Sequence, residues 1–272
     1  TPDYYAVRLQ DYGVKAEMTA GVRSGMFRFT YPESEKSFIM IDMNHTLWQS
    51  CEWSNLRMEN DSTLTGYKLV KGWGPERHVY FTAVFSKKLK NLRFMQDKKP
   101  VIYNTSRFRS CYEAWGKNLM ACISFEAAEG EEIIVKTAVS AVSTAGATLN
   151  LQELNGMTFD SLREKGVSLW EQELAKYQIE AEPEVKEAFY TAAYRAALHP
   201  FVFQDADRQF RGLDKNIEKA EGFTNYTVFS LWDTYRALHP WFNLVHQDIN
   251  ADIANSMLAH YDKSVEKMLP IW

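Results

Sequence analysis

Hydrophobic and polar residues alternate with a period of two along the first half of the chain. Tyr5, Val7 and Leu9 show this alternation, which recurs in MFRFTY, SFIMIDM, RHVYFTAVFS and EEIIVKTAVS. The pattern predicts β-strands with one buried face, and the segments YPESEK, QDKKP and EAAEGEE between them are typical of turns. Because many short strands follow one another, we predict an antiparallel all-β domain over residues 1–150, either a sandwich or a barrel.

After Gly156 the hydrophobic period changes to that of an α-helix. The stretch FDSLREKGVSLWEQELAKYQ predicts one amphipathic helix, in which Gly166 is a possible break because glycine weakens a helix by roughly 1 kcal/mol. Pro183 favours the start of a second helix, since proline is tolerated in the first turn. The predicted helices cover residues 159–178, 183–199, 227–238 (ended by Pro240) and 249–267. An all-α region therefore follows the all-β region.

Composition narrows the function classes. The 272 residues include 31 basic and 35 acidic side chains, and the net charge is -4 without a basic cluster, which argues against a nucleic-acid partner. No apolar run approaches the roughly 20 residues of a membrane span, and TPDYYAVRLQ is not a signal peptide. Aromatic residues make up 14% of the chain, which hints at sugar binding because a ring face matches the apolar face of a pyranose.

Motifs for metals and nucleotides are missing from the sequence. Cys51, Cys111 and Cys122 form neither a CxxC pair nor a disulfide framework, and the six histidines include no HExxH. Glycine-rich phosphate-binding loops are also missing. We therefore assign no metal ligands on this chain.

The densest group of polar and aromatic residues lies between Gln204 and Pro240. Asp205 and Asp207 suggest a calcium loop, but glycine and glutamate are not at the EF-hand positions, so turns are the simpler interpretation. In SLWDTYR, Asp233 and Arg236 are three residues apart and could pair on one helix face, beside Trp232. Carboxylate, guanidinium and indole together suit a pyranose. The alternative is a helix-start carboxylate next to a core tryptophan.

Longer segments carry a family resemblance. NYTVFSLWDTYRALHP follows LHPFVFQDADRQFRGLDKNI, and upstream lie AEMTAGVRSGMFRFTYP, GYKLVKGWGPERHVYFTAVFSK and VSAVSTAGATLNLQEL. The chain ends with ANSMLAHYDKSVEKMLPIW. In this order the segments closely resemble glycoside hydrolase family 92, the calcium-dependent exo-acting α-mannosidases. Trp-Asp alone also occurs in related (α/α)6-barrel glycosidases.

The resemblance implies a fold and a division of the chain. It implies a β-sandwich over 1–150, incomplete at its N-terminus, and a linker helix region over 151–182. Residues 183–272 would form the first helices of an (α/α)6 barrel that is incomplete at its C-terminus. The family's Gly-Asn-Glu segment with the general acid, the water-activating Asp residues and the main calcium ligands are not found here. We therefore expect no catalytic residue on this chain, and Ca²⁺ ligands mostly elsewhere.

The resemblance also implies a function, namely inverting hydrolysis of terminal α-mannosides of glycans, with α-1,2 linkages expected. In such enzymes two carboxyl groups stand roughly 6.5–9.5 Å apart. Substrate binding is assigned to Trp232, Asp233 and Arg236, with Trp73 and Asp214 as weaker candidates. The expected partners are mannose-containing glycans and the remainder of the polypeptide, and the expected location is extracytoplasmic. The alternatives are a non-catalytic glycan-binding or structural protein and another (α/α)6-barrel glycosidase.

Overall fold

A computed structural model describes residues 1–72, 74, 76–102 and 112–270. Apart from the first two residues, the chain falls into two compact units, Asp3–Arg163 and the residues from Glu164 onward. None of the described helices is long and apolar enough to cross a membrane. The boundaries near residues 150 and 182 remain predictions.

The first unit contains the predicted strands. They are β1 (Tyr5–Leu9), β2 (Val14–Ala20), β3 (Ser24–Tyr31), β4 (Ser34–Asp42), β5 (Ser50–Asn60), β6 (Thr63–Lys71), β7 (Arg77–Phe85), β8 (Leu92–Gln96), β9 (Lys99–Pro100), β10 (Glu113–Gly116), β11 (Leu119–Ala127) and β12 (Glu131–Ser140). An eight-stranded sheet has the order β1-β2-β3-β12-β7-β6-β5-β10, and a four-stranded sheet has the order β4-β11-β8-β9. All these pairings are antiparallel. The all-β prediction is confirmed.

Both sheets contribute to one hydrophobic core. Leu56 and Leu64 from the large sheet and Leu119 and Ala121 from the small sheet are fully buried. Burial of each leucine contributes about 1.5–3 kcal/mol, so the alternation visible in the sequence is what holds the two sheets together. This arrangement is a sandwich.

Helical turns cover part of the large sheet's other face. Helix α1 (Thr144–Leu151) contacts β12 and β7. Its N-cap is Ser143, whose hydroxyl accepts a hydrogen bond from the Gly146 amide at 2.9 Å. A 3-10 turn (Gln152–Leu154) and the start of helix α2 (Phe159–Leu174) follow. A second cluster of buried side chains joins them to the sheet through Met26, Leu154, Phe159 and Leu162.

The second unit is mainly helical. Its elements are the rest of α2, α3 (Pro183–Ala196), the short strands β13 (Phe201–Val202), β14 (Gln209–Arg211), β15 (Ile217–Lys219) and β16 (Tyr226–Thr227), and the helices α4 (Leu231–Thr234), α5 (Leu238–Val245) and α6 (Gln247–Lys263). β13 pairs with β16, and β14 pairs with β15. Its buried core is formed by Phe229, Phe242 and Ile253. The prediction that helices follow the sandwich is confirmed.

The predicted helix over 227–238 is wrong. Residues 226–227 form β16, and the next helix, α4, has only four residues. Ser230 has a left-handed backbone (φ 47°), which a continuous helix does not allow. Pro240 lies in the first turn of α5, where its missing N–H costs nothing, so it does not end a helix. Gly166 does not interrupt α2.

Candidate functional site

A turn anchored in the core presents the predicted site residues. Phe229 is only 1% exposed and fixes the start of the turn. The Ser230 carbonyl then accepts hydrogen bonds from the amides of Asp233 (2.9 Å) and Thr234 (3.1 Å). The Thr234 hydroxyl donates to the Phe229 carbonyl at 3.0 Å. These bonds tie the last two residues of a short exposed helix back to Phe229 and Ser230, which precede it.

The Asp233 side chain is exposed, and one of its two carboxylate oxygens is hydrogen-bonded within the described residues. The Ser230 hydroxyl donates to its Oδ2 at 2.7 Å. Its other oxygen, Oδ1, accepts no hydrogen bond from the described residues. A carboxylate has about four acceptor sites, so Asp233 retains capacity for hydroxyl donors from a ligand.

The predicted pairing of Asp233 with Arg236 is not formed. No ion pair joins them among the described residues, because α4 ends at Thr234 and Arg236 lies beyond it. The Arg236 guanidinium instead lies over the Tyr235 ring, 5.6 Å from its centre. Trp232 and Tyr235 are 48% and 60% exposed, so neither is a core residue. The structure thus brings the three predicted residues together on one exposed segment.

Tyr235 was not predicted as a site residue. Its ring lies within about 6 Å of the Arg236 guanidinium carbon, a distance at which a cation and a ring attract each other. The sequence did contain a signal, because an aromatic residue directly precedes the arginine in SLWDTYR. On the long helix that was predicted, however, residues three and four positions apart share a face, whereas Tyr235 and Arg236 do not.

A cleft of about 600 Å³ in the second unit extends from this segment. The volume is in the range of small-molecule sites, about 300–1,000 Å³. Asp233 and Thr234 lie at its edge, and the remaining lining is almost wholly apolar, with Phe189, Ala192, Ala193 and Ala196 from α3 and Ala237, Leu238, Pro240, Trp241 and Leu244 after α4. Among the described residues, Asp233 is therefore the one acidic side chain that lines the cleft.

The weaker candidates have local roles or lie outside the described residues. Partial burial raises the pKa of the Asp214 carboxyl, but hydrogen bonds from Asn216 outweigh this effect and hold the pKa below its ordinary value. Asp207 accepts a bond from the amide two residues later, and Asp205 is buried at a turn. Both arrangements are typical of turns. Trp73 lies outside the described residues.

A metal does not fit the described residues. They contain no cluster of three or more His, Cys, Asp or Glu side chains that would hold an ion. Ca²⁺ needs six to eight oxygen ligands, so no step of the chemistry is assigned to it on these residues. Cys51 and Cys122 are free thiols.

Comparison with known families gives two matches. Residues 1–140 match the glycosyl hydrolase family 92 N-terminal domain, and residues 146–272 match the family 92 catalytic domain. The comparison with curated proteins gave no match.

Solved structures give a closer comparison. The chain is 81% identical to the family GH92 alpha-mannosidase BT3965 from Bacteroides thetaiotaomicron, with a TM-score of 0.96 over 99% of this chain. A structure of that protein in complex with mannoimidazole matches equally well. The chain spans 37% and 36% of the length of these two structures.

A more distant structure shows the same fold. The inverting mannosidase BT2199 from Bacteroides thetaiotaomicron VPI-5482 is 22% identical, with a TM-score of 0.86 over all of this chain and 36% of that one. The family matches together extend from residue 1 to residue 272, and the resemblance drawn from the sequence is thereby confirmed. The chain belongs to glycosyl hydrolase family 92.

Proposed function

We propose that this chain is part of an inverting, exo-acting α-mannosidase that hydrolyses terminal α-mannosides of glycans, α-1,2 linkages among them. Family membership and 81% identity to a protein described as an alpha-mannosidase support the proposal. The observation that carries it for the chain itself is the exposed, core-anchored segment with Trp232, Asp233 and Arg236. Core side chains and helix-start carboxylates do not explain two exposed aromatic rings beside an exposed arginine.

Each of these side chains has a defined role in the proposal. Asp233 accepts hydrogen bonds from hydroxyl groups of the terminal mannose through its open oxygen. Arg236, whose guanidinium carbon lies 5.6 Å from the centre of the Tyr235 ring, donates to sugar oxygens. Trp232 stacks against the apolar face of the ring. Charge-assisted hydrogen bonds of this kind contribute about 1.5–3 kcal/mol each.

The proposal assigns the reaction itself to other residues. Inverting hydrolysis needs one carboxylic acid to protonate the departing oxygen and one carboxylate to activate water. Neither is assigned to this chain, and the same holds for the ligands of the calcium that the family uses. Calcium would supply electrostatic stabilisation at the sugar hydroxyls. The chain's own residues would bind and orient the mannose.

Asp233→Ala in the complete protein tests the proposal. Loss of a carboxylate that binds two hydroxyls should lower kcat/KM for an α-mannoside by about 10²- to 10⁴-fold. Asp262→Ala removes another exposed carboxylate of the same unit and should leave kcat/KM unchanged. Circular dichroism checks that both variants are folded. Near-normal hydrolysis by Asp233→Ala would overturn the assignment.

A non-catalytic glycan-binding protein is the second candidate. It is favoured by one observation, which is that no acid and base pair has been assigned among the described residues. The two candidates differ in one assay, because an enzyme releases mannose from α-mannobiose whereas a binding protein only retains it. The remaining alternative, a glycosidase of another (α/α)6-barrel family, is excluded by the two family matches.

We also propose an extracytoplasmic location, on the basis of the family resemblance. Immunodetection of the complete protein in cell fractions tests it. Recovery in the cytoplasmic fraction alone would contradict it.

A further inference from the structure

Ser230 combines an unusual backbone with a functional contact. Its backbone is left-handed, with φ 47° and ψ 54°, a region that disfavours residues with a β-carbon. Glycine would adopt this conformation more easily. Strained backbone of this kind is often found at functional sites. The presence of serine therefore calls for a role of its side chain.

The side chain has one contact that suggests this role. The Ser230 hydroxyl donates to Asp233 Oδ2 at 2.7 Å, on the surface of the molecule. An exposed carboxylate without such a bond samples several rotamers. With the bond in place, Oδ2 is held and Oδ1 keeps its lone pairs for another donor. A ligand then binds a side chain that is already ordered, which lowers the entropic cost of binding.

The bond is built on rigid structure. Phe229, the residue before Ser230, is 1% exposed and packs in the core of the second unit. The Ser230 carbonyl accepts two amide hydrogen bonds, from Asp233 and Thr234, the last two residues of α4. The hydroxyl and the carboxylate are therefore fixed relative to one another by the same four-residue turn.

We propose that Ser230 is a positioning residue that orders the Asp233 carboxylate for sugar binding. The inference rests on the proposed function of Asp233. Ser230 does not itself need to touch the sugar. The strained backbone is retained because it places the hydroxyl beside Oδ2.

Ser230→Gly in the complete protein tests the proposal. Glycine relieves the backbone strain and removes only the hydroxymethyl group, so the fold and melting temperature should be kept or improved. Loss of one hydrogen bond should nevertheless weaken mannoimidazole binding and lower kcat/KM by about three- to tenfold. Ser230→Thr keeps a hydroxyl and should retain more affinity than Ser230→Ala. If Ser230 had only a structural role, relief of the backbone strain in Ser230→Gly would leave kcat/KM unchanged or raise it.

A double-variant cycle with Asp233→Ala decides between the roles. If Ser230 acts through Asp233, Ser230→Gly should have no further effect once the carboxylate is gone. Equal losses in both backgrounds, or unchanged affinity in Ser230→Gly alone, would overturn the inference. Near-normal activity of Asp233→Ala would instead overturn the proposed function, so the two failures are distinguishable.

Discussion

The buried ion-pair network around Glu17 offers a quantitative test of what stabilises the sandwich. Glu17 on β2 is 2% exposed and lies directly opposite Arg28 on β3. Arg28 binds it bidentately, with Nε 2.9 Å from Oε2 and Nη2 3.0 Å from Oε1. The Tyr4 hydroxyl donates to Oε1 at 2.5 Å. Arg28 also reaches Asp160 on α2 at 3.0 Å, so the network joins sheet and helix.

Glu17→Gln keeps the shape of the side chain and removes its charge. Breaking a buried ion pair by removal of one partner costs about 3–5 kcal/mol. Arg28 retains the exposed Asp160 as a partner, so we expect the lower end, about 3 kcal/mol. For a unit of this size each kcal/mol lowers Tm by about 2–4 °C, which predicts a decrease of about 6–12 °C near pH 7.

The same network predicts a pH dependence. Hydrogen bonds from Arg28, together with those from Tyr4 and Lys15, outweigh burial and lower the pKa of Glu17 to about 2 from 4.5. In the unfolded chain this carboxylate is protonated near its ordinary pKa, whereas in the folded protein it stays ionised to lower pH. Its stabilisation is therefore complete above about pH 4.5 and is lost as the pH falls towards 2. The difference in Tm between the wild type and Glu17→Gln should narrow over that interval.

Calorimetric melts of both proteins between pH 2 and 7 measure this effect. Glu52→Gln is the matched control, because its ion pair with Lys117 is at the surface and should contribute little to Tm. A decrease below about 2 °C at pH 7 would refute the idea that breaking this pair is costly. A difference in Tm that does not change between pH 7 and pH 3 would refute the role of the Glu17 charge.

Two further predictions concern other buried positions. His260 is 4% exposed, and its Nδ1 has no hydrogen-bond partner among the described residues. Burial lowers the pKa of His260 to about 4 from 6.5. As the pH falls, the unfolded chain binds a proton at this histidine before the folded protein does. Stability should therefore fall by about 3 kcal/mol between pH 6.5 and 4. His260→Leu should abolish that decline in a pH series of melts. At Gly66, an added Cβ would lie 2.3 Å from Phe81 Cε1 and 2.8 Å from the Asn55 carbonyl oxygen. Gly66→Ala should therefore cost about 1–3 kcal/mol by thermal melting. At Gly72 the nearest atoms belong to the Gln49 side chain, so Gly72→Ala should cost less.

Periodicity predicted the longer elements of the two units. The sandwich strands, α2 and α3 are long enough for a period of two or 3.6 to be visible in the sequence. The segment 201–227 lacks such a signal, because its strands have only two or three residues. Their pairing depends on contacts between distant residues, and no local pattern records it.

The geometry of the segment with the predicted site residues differs from the expected one, and the roles of these residues stay a prediction. Trp232, Asp233 and Arg236 are on one exposed segment, yet the expected helix and the expected ion pair are absent from the described residues. The cause is the left-handed backbone of Ser230, which residue type does not reveal, because serine seldom adopts it. A sequence pattern can therefore suggest candidate side chains without giving their orientation.

Core residues and residues of the exposed candidate site differ in what holds their side chains in place. Core residues such as Leu56 are ordered by burial, which leaves a hydrophobic pattern in the sequence. A side chain that binds sugar must stay exposed, so burial cannot order it. In the proposed site, Asp233 is ordered by a turn in which Phe229 is buried and the strained Ser230 donates a hydrogen bond to the carboxylate. Residues next to an exposed site in the sequence, here Phe229 and Ser230, can therefore order a side chain of the site without contacting the ligand.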